Sequence, residues 1–189
     1  LDRFSRGRFL FGIGAGWNAE EMAHHGVDFK DRWKVTRERM LAMRTIWTNE
    51  EAEFHGQFVN FDPIWCWPKP VQAGGPPVLL GAGATKWMPK RVLEYCDGWM
   101  PVDGIDDVAA GVAALRTEAD RIGRSLHEFD LSVLAAYRVY RASGAEKRIE
   151  ELQALGFQRV IFALEPQAPE VQWPVLEQVA ALVRKLQRR

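Results

Sequence analysis

The chain has 189 residues, of which 47% are hydrophobic, and its 25 basic and 25 acidic side chains give a formal net charge of zero. This content suffices for one globular domain over residues 1–189, and the balanced charge excludes the footprint of a nucleic-acid-binding protein or of a protein bound to an anionic membrane. No apolar run approaches the roughly 18 residues of a membrane span and no charged-then-apolar leader is present, which predicts a soluble, cytoplasmic protein.

The first predicted elements are the end of a helix and a strand that runs into small residues. Residues 1–8 are charged and reach a stop at Gly7, which is typical of a helix C-terminus. Residues 9–13 form an apolar run, and Gly14 and Gly16 follow it. An apolar run of this length indicates a buried parallel strand that ends in a glycine-containing turn.

Helical and hairpin patterns follow the first strand. Residues 18–25 predict a short helix with Asn18 as its N-cap, and residues 31–47 predict a longer amphipathic helix. Residues 53–61 indicate a hairpin, because two short apolar runs flank a turn that contains glycine. Residues 62–72 are rich in Pro and Trp and predict an ordered loop that returns the chain to the main sheet.

The most informative stretch is the strand predicted over residues 77–80 and the turn of small residues behind it, Gly81, Ala82, Gly83, Ala84 and Thr85. Because Gly81 and Gly83 lack a Cβ, backbone amides can approach a bound group, and a helix beginning beyond them presents its positive end to an anion. The sterics of a tight strand-to-helix turn explain the glycines equally well. Pro89 fits only near a helix start, which makes Thr85 a doubtful N-cap for the helix over residues 86–95.

The remaining chain continues the alternation of strands and helices. Strands are predicted over residues 97–102, 131–140 and 159–164, and helices over residues 105–122, 145–155 (closed by Gly156) and 171–186. Strict alternation predicts a parallel sheet with helices outside it, either doubly wound or a barrel. Five such units are too few for a complete eight-stranded barrel, which typically needs about 250 residues.

Several short motifs in this order and spacing resemble the bacterial-luciferase-like family of flavin- and deazaflavin-dependent oxidoreductases. The motifs are residues 6–17, Arg32, residues 54–58, 68–72, 76–81 and 97–99. The resemblance as a whole runs over nearly the entire chain. The resemblance implies an α/β fold, a (β/α)₈ TIM barrel of the luciferase-like type. It also implies that this chain carries about strands four to eight and lacks the first three βα units.

The resemblance also implies a cofactor, either F420 or FMN, with F420 favoured on overall similarity. Its phosphate would lie on the backbone amides of the turn formed by Gly81, Ala82, Gly83, Ala84 and Thr85. Its ring and side chain would pass the end of the first strand, at Gly14, Gly16, Trp17 and Asn18. Trp17 would line the substrate side or pack at the barrel mouth, and both interpretations stay open. For Trp99 and Met100 we expect a place in the core rather than a substrate contact.

No catalytic acid, base or metal ligand is identified in this sequence. His24 and His25 are adjacent, so on a helix they point about 100° apart and cannot share a metal ion as an i, i+4 pair can. His55 and His127 have no recognisable partner for nucleophilic or acid–base chemistry. The two cysteines, Cys66 and Cys96, are predicted to be free, buried thiols and form neither a disulfide framework nor a metal site.

The resulting prediction is a luciferase-like oxidoreductase or monooxygenase that uses F420 or reduced FMN on a small organic substrate. One alternative is a phosphate-binding lyase or isomerase, which requires a charged acid/base pair on strand ends, and the predicted strand ends are nearly devoid of charge. The other alternative is a non-catalytic barrel remnant that associates through open sheet edges. Such edges predict association of the chain with itself, and a homodimer is the expected state.

Overall fold

The computed structural model describes residues 1–136, 144–164 and 166–186, which are organised around a parallel sheet backed by helices. The helices are α1 (Asp2–Ser5), α2 (Ala19–His24), α3 (Arg32–Thr48), α4 (Met88–Tyr95), α5 (Val108–Arg121), α6 (Ala145–Leu155) and α7 (Pro169–Leu186). The strands are β1 (Phe11–Ile13), β2 (Glu51–His55), β3 (Asn60–Trp65), β4 (Val78–Leu80), β5 (Gly98–Trp99), β6 (Val102–Asp103), β7 (Asp130–Ala136) and β8 (Arg159–Ala163). The predicted α/β fold class is confirmed.

The strands of the main sheet lie in the order in which they occur in the chain. β1 pairs with β4, β4 with β5, β5 with β7 and β7 with β8, and every pairing is parallel. β5 and β6 form one interrupted strand, because both pair with β7 in a single register, with Gly98 opposite Asp130 and Val102 opposite Leu134. Sequential parallel strands joined by helices are the arrangement of a TIM barrel, and the described sheet is a curled part of one.

The hydrophobic core lies between this sheet and the helices. Val78, Leu80 and Trp99 are fully buried within it. Alternate strand positions face the opposite, concave side, because successive side chains of a strand point to opposite faces. On that side a Cβ added at Gly12 would lie 3.6 Å from the Met100 methyl carbon. The prediction of a core position is therefore confirmed for Trp99 and is wrong for Met100, which is only half-buried.

The hairpin formed by β2 and β3 is longer than predicted. The loop predicted over residues 62–72 is wrong for its first four residues, because β3 continues to Trp65. The pairing register shifts between Ala52 and Phe54, so β3 contains one extra residue at Asp62 and Pro63. Such a bulge tolerates proline, since the missing N–H is not required by the ladder at that point.

Other boundaries differ from the predicted ones for local reasons. The strand predicted over residues 97–102 is interrupted, and the helix predicted over residues 105–122 begins only at Val108, where the Asp107 side chain caps it by accepting from the Ala110 amide. The strand predicted over residues 131–140 is present as far as Ala136, and residues 137–143 lie outside the described residues. The closure of α6 by Gly156 is confirmed, and this glycine has a left-handed φ of 103°.

One carboxylate attaches the hairpin to α3. The two oxygens of Glu38 accept hydrogen bonds from the backbone amides of Gln57 at 3.0 Å, Phe58 at 2.7 Å and Val59 at 3.1 Å. Burial raises the pKa of the Glu38 carboxyl, but the three amides lower this pKa by more, so the net shift is downward. The ionised carboxylate is therefore the form that holds the tip of the hairpin in place.

We expect Glu38→Gln to loosen the hairpin tip, because an amide group offers one acceptor oxygen in place of two. The amides of residues 57–59 should exchange hydrogen roughly ten-fold faster, since one charge-assisted hydrogen bond contributes about 1.5–3 kcal/mol. The pKa of Glu38 is lower in the folded protein than in the unfolded chain, so the carboxylate stabilises the tip fully at pH values above the ordinary glutamate pKa of 4.5. It loses this effect as the pH falls through the folded pKa.

Hydrogen exchange of these amides is measured across this pH range, with exposed Glu53→Gln as control. The exchange rates of Glu38→Gln and of the unsubstituted protein should converge in acid. A difference that persists unchanged in acid would contradict this assignment.

A buried hydroxyl generates a second prediction. Tyr95 is only 3% exposed, and within the described part of the chain its Oη has no hydrogen-bond partner. An unsatisfied buried polar group costs about 1–3 kcal/mol. Tyr95→Phe should therefore raise the free energy of unfolding by about 1 kcal/mol in urea titrations, with an unchanged denaturant slope. A loss of stability would show that the hydroxyl has a partner in the folded protein.

Candidate functional site

The two predicted glycine turns lie side by side at the carboxyl edge of the sheet. β1 and β4 are adjacent, and the Gly81 amide extends their pairing by donating to the Ile13 carbonyl at 2.7 Å. A Cβ added at Gly14 would lie 3.4 Å from the Gly81 carbonyl oxygen. All strands of the sheet are parallel, so the turns that follow them gather at this one edge, which is where barrel enzymes place their sites.

A buried tryptophan holds the turn of residues 81–85 in position. Trp99 is fully buried, and its indole Nε1 donates to the Ala82 carbonyl at 2.8 Å. The ring lies directly over α5, where a Cβ added at Gly111 would lie only 2.1 Å from the Trp99 ring. Only glycine therefore fits at this point of α5, and the close packing leaves the indole one orientation from which to bind the turn.

The turn presents backbone amides without acceptors. Within the described residues, the amides of Ala82, Gly83 and Ala84 donate no hydrogen bond. The other two amides of the predicted set are used by the chain itself, since Gly81 donates to the Ile13 carbonyl and Thr85 to the Gly83 carbonyl at 2.7 Å. Unpaired, half-buried amides in consecutive residues form a concavity that suits an anion.

The charges around the turn are also favourable to an anion, with one exception. α4 begins at Met88, three residues beyond Thr85, so the doubt about Thr85 as N-cap is confirmed. The first turn of α4 contains no acidic residue, and Lys86 and Lys90 flank the helix start. Helix N-termini usually attract acidic side chains, and their absence leaves the positive end of the helix uncompensated.

The exception is Asp106, from the loop behind β6. Its Oδ1 would lie 2.8 Å from a Cβ added at Gly83, and its Oδ2 accepts from the Val102 amide at 2.8 Å. The sequence prediction missed this residue. A loop acid after a two-residue strand carries no recognisable signal, and only the pairing of β5 with β4 brings the two loops together.

In the turn behind β1, Asn18 has a structural role and Trp17 is exposed. The Asn18 side-chain oxygen accepts from the amides of Glu20 at 3.1 Å and Glu21 at 3.2 Å, which confirms Asn18 as the N-cap of α2. Gly16 has a positive φ of 77°, which favours glycine. Trp17 is 86% exposed, so it packs against little of the described chain.

A buried ion pair at the end of β6 was also missed by sequence reasoning. Asp103 is 3% exposed, and Arg148 of α6 donates to its Oδ1 from Nη2 at 2.6 Å and to its Oδ2 from Nε at 3.2 Å. Hydrogen bonding to Asp103 is the main cause that raises the pKa of Arg148. The prediction of strand ends nearly devoid of charge is thus wrong for β6. Because Arg148 holds both oxygens of this carboxylate, it offers no free acid or base for the lyase or isomerase alternative.

The cysteines and the remaining polar groups add no second site. Cys96 is buried as predicted, and burial raises the pKa of its thiol to about 12. Cys66 is exposed, so the prediction of a buried thiol is wrong there, because the loop after β3 carries it outward. Within residues 1–136, 144–164 and 166–186, no three His, Cys, Asp or Glu side chains converge as metal ligands, and no helix is long and apolar enough to cross a bilayer.

Comparison with known proteins identifies the family. The sequence profile of the luciferase-like monooxygenase family matches residues 1–181. An uncharacterised protein of Mycobacterium tuberculosis is 43% identical over 116 residues, which cover 61% of this chain and 41% of that protein. The FMNH(2)-dependent dimethylsulfone monooxygenase of Pseudomonas putida is 31% identical over 124 residues, covering 60% of this chain and 34% of the enzyme. The chain thus spans well under half the length of these curated relatives.

Solved structures of the same fold extend the comparison. A monooxygenase of Streptomyces bottropensis superposes with a TM-score of 0.71 and 17% identity, covering 88% of this chain and 64% of that one. An F420-dependent secondary alcohol dehydrogenase superposes with a TM-score of 0.65 and 15% identity, covering 85% and 65% of the two chains. Identities this low show only a shared fold, and that fold agrees with the sheet order described above. The profile match over residues 1–181 and the partial TIM barrel together place this chain in the luciferase-like monooxygenase family of oxidoreductases.

Proposed function

We propose that this chain forms the phosphate-binding part of an oxidoreductase that uses F420 or reduced FMN on a small organic substrate. The observation that carries the proposal is the turn of residues 81–85, where Trp99 positions three backbone amides without acceptors at the carboxyl edge of the sheet. The family relationship supports a redox function in general, and the geometry of this turn supports the binding role of this part of the chain.

The residues present fit a phosphate group. The amides of Ala82, Gly83 and Ala84 would donate to its oxygens, and Lys86 and Lys90 would attract it electrostatically. When bound, the cofactor supplies the redox chemistry, as a hydride carrier in the case of F420 or by activating oxygen in the case of reduced FMN. The protein binds the phosphate, orients the ring and excludes water.

The neighbouring turn supports the placement of the ring. Gly14 lies beside the turn of residues 81–85, since a Cβ added there would lie 3.4 Å from the Gly81 carbonyl oxygen, and neither Gly14 nor Gly16 carries a side chain that would block a planar group. Asn18 contributes by capping α2 and so holds the end of this turn in place. Asn18 is therefore proposed as a positioning residue, and the ring contacts are assigned to the backbone of residues 14–16.

Exposed apolar side chains at the same edge support a largely uncharged substrate. Trp17 follows β1 and is 86% exposed, and Ile105 follows β6 and is 79% exposed. Large apolar groups at the carboxyl ends of parallel strands would line the approach to the ring. Trp17 is proposed for the substrate side, because it makes too little contact with the described chain to serve as a packing residue.

Both cofactors occur among the similar proteins, which include an FMNH(2)-dependent monooxygenase and an F420-dependent alcohol dehydrogenase. We favour F420 on overall sequence resemblance. Titrating the purified full-length protein with F420 and with FMN tests the proposal, because a bound chromophore changes its absorbance and fluorescence. A folded protein that takes up neither compound would contradict the proposed function.

The phosphate turn itself generates a sharper prediction. Gly83→Val should weaken binding of F420 and FMN by at least about ten-fold, because its Cβ would meet the Asp106 carboxylate and its branches would obstruct the amides of the turn. Fluorescence titration of both cofactors measures the effect, and circular dichroism reports the fold. Gly123→Asn is the matched control, since an added Cβ meets nothing within 4 Å there and Asn tolerates a positive φ. Unchanged affinity of the Gly83 variant for both cofactors would refute the assignment of the turn.

A further inference from the structure

We infer that Asp106 makes the turn of residues 81–85 select its ligand by phosphate charge, favouring a singly charged phosphodiester over a doubly charged phosphomonoester. This inference rests on the proposed function, because it concerns the same turn. It adds a specificity-determining residue that the sequence motifs do not indicate. Three properties of the Asp106 carboxylate carry it: the bonds that hold the group, its unneutralised charge, and its distance from the amides of the turn.

Backbone hydrogen bonds hold the Asp106 carboxylate in place. Its Oδ2 accepts from the Val102 amide at 2.8 Å, and its own amide donates to the Val102 carbonyl at 3.0 Å. These two bonds close a tight loop behind β6 and leave Oδ1 directed at Gly83, where an added Cβ would lie 2.8 Å away. The carboxylate therefore forms part of the wall of the turn and does not swing freely in solvent.

The negative charge of Asp106 is not neutralised by a cation. Within the described part of the chain, Asp106 takes part in no ion pair, whereas its near neighbour Asp103 is bound through both oxygens by Arg148. Lys86 lies over the ring of Trp87, with its Nζ 5.1 Å from the ring centroid. The Asp106 carboxylate would therefore repel an anion in the turn from the direction of Gly83.

The distance is short enough for this charge to matter. Adding the two covalent bonds that join the Cβ position to the Gly83 nitrogen puts Oδ1 at most about 6 Å from that nitrogen. A phosphate oxygen hydrogen-bonded to the amide then lies at most about 9 Å from the carboxylate. This upper limit is close to the Debye length of about 8 Å at physiological ionic strength, so the repulsion is only partly screened.

Coulomb repulsion is proportional to the charge of the ligand, so a dianion is penalised twice as much in free energy as a monoanion. The two candidate cofactors differ in this respect, because FMN ends in a phosphomonoester and F420 carries a phosphodiester. The amides of the turn and the flanking lysines attract both groups. Asp106 weakens the binding of the phosphomonoester more than that of the phosphodiester. This difference in binding free energy is the selectivity that we assign to Asp106.

A ligand series with one ring and three charges tests the inference. Riboflavin is uncharged, its cyclic phosphodiester carries one negative charge, and FMN carries two at alkaline pH. Dissociation constants for all three are measured by fluorescence quenching at low ionic strength, in the full-length protein and in Asp106→Asn. The Asn side chain keeps an oxygen that can accept from the Val102 amide, so the loop is retained.

We expect Asp106→Asn to leave riboflavin affinity unchanged, to strengthen binding of the cyclic phosphodiester roughly two- to three-fold, and to strengthen FMN binding by about the square of that factor. Asp107→Asn is the matched control. It removes the same charge one residue along the chain, and Asn caps a helix as well as Asp does, so α5 keeps its N-cap. This control should change none of the three affinities by more than about a third of the effect at Asp106, since its carboxylate is exposed and the high dielectric constant of the surrounding water weakens its field.

The outcomes separate the two proposals. If FMN and the cyclic phosphodiester bind and Asp106→Asn leaves their affinity ratio unchanged, the charge selection is refuted and the phosphate turn stands. If Asp106→Asn changes riboflavin affinity as much as FMN affinity, Asp106 acts through the shape of the loop and the charge selection is likewise refuted. If neither phosphate ester nor F420 binds the folded protein, the proposed function fails, and this inference fails with it.

Discussion

The site depends on one hydrogen bond, between the indole of Trp99 and the carbonyl of Ala82. Trp99 lies on β5, fully buried against α5, and the turn that it binds follows β4. The bond joins the hydrophobic core to the carboxyl edge of the sheet, so the burial of a large aromatic ring also orders the turn of residues 81–85. Removing the ring would take away both the packing and the partner of the turn.

Carboxylates perform a comparable task elsewhere in the chain, because several of them bind backbone amides. Glu38 holds the hairpin tip through three amides, and Asp97 accepts from the Val78 amide at 2.8 Å while pairing with Arg44 at 2.6 Å. These side chains satisfy donors that no ladder or helix reaches. Glu38 and Asp97 are therefore explained first by the amides that they bind. Asp106 likewise binds an amide, and its second oxygen faces Gly83 in the turn of residues 81–85.

The site and the sheet give a consistent account of what this part of the barrel can do. Its strands bring the turn of residues 81–85, a glycine-lined neighbouring turn and an exposed tryptophan to one edge of the sheet. A cofactor that carries its own redox chemistry requires binding and orientation from the protein rather than a catalytic side chain. The chain spans under half the length of the curated relatives that it matches. We assign to it the binding of the cofactor phosphate.

Elements with a local cause were predictable from the order of the residues. The apolar run before Gly81, the Asn18 cap and the left-handed Gly156 each depend on residues within a few positions. Which loops meet became known only from the folded chain. Asp106 reaches Gly83 because β5 pairs with β4, and Asp103 is neutralised because Arg148 of α6 reaches it. Both contacts join residues that are distant in the chain. Local patterns specify a strand or a turn, but pairing between strands determines the neighbours of a charge, and through them its chemistry.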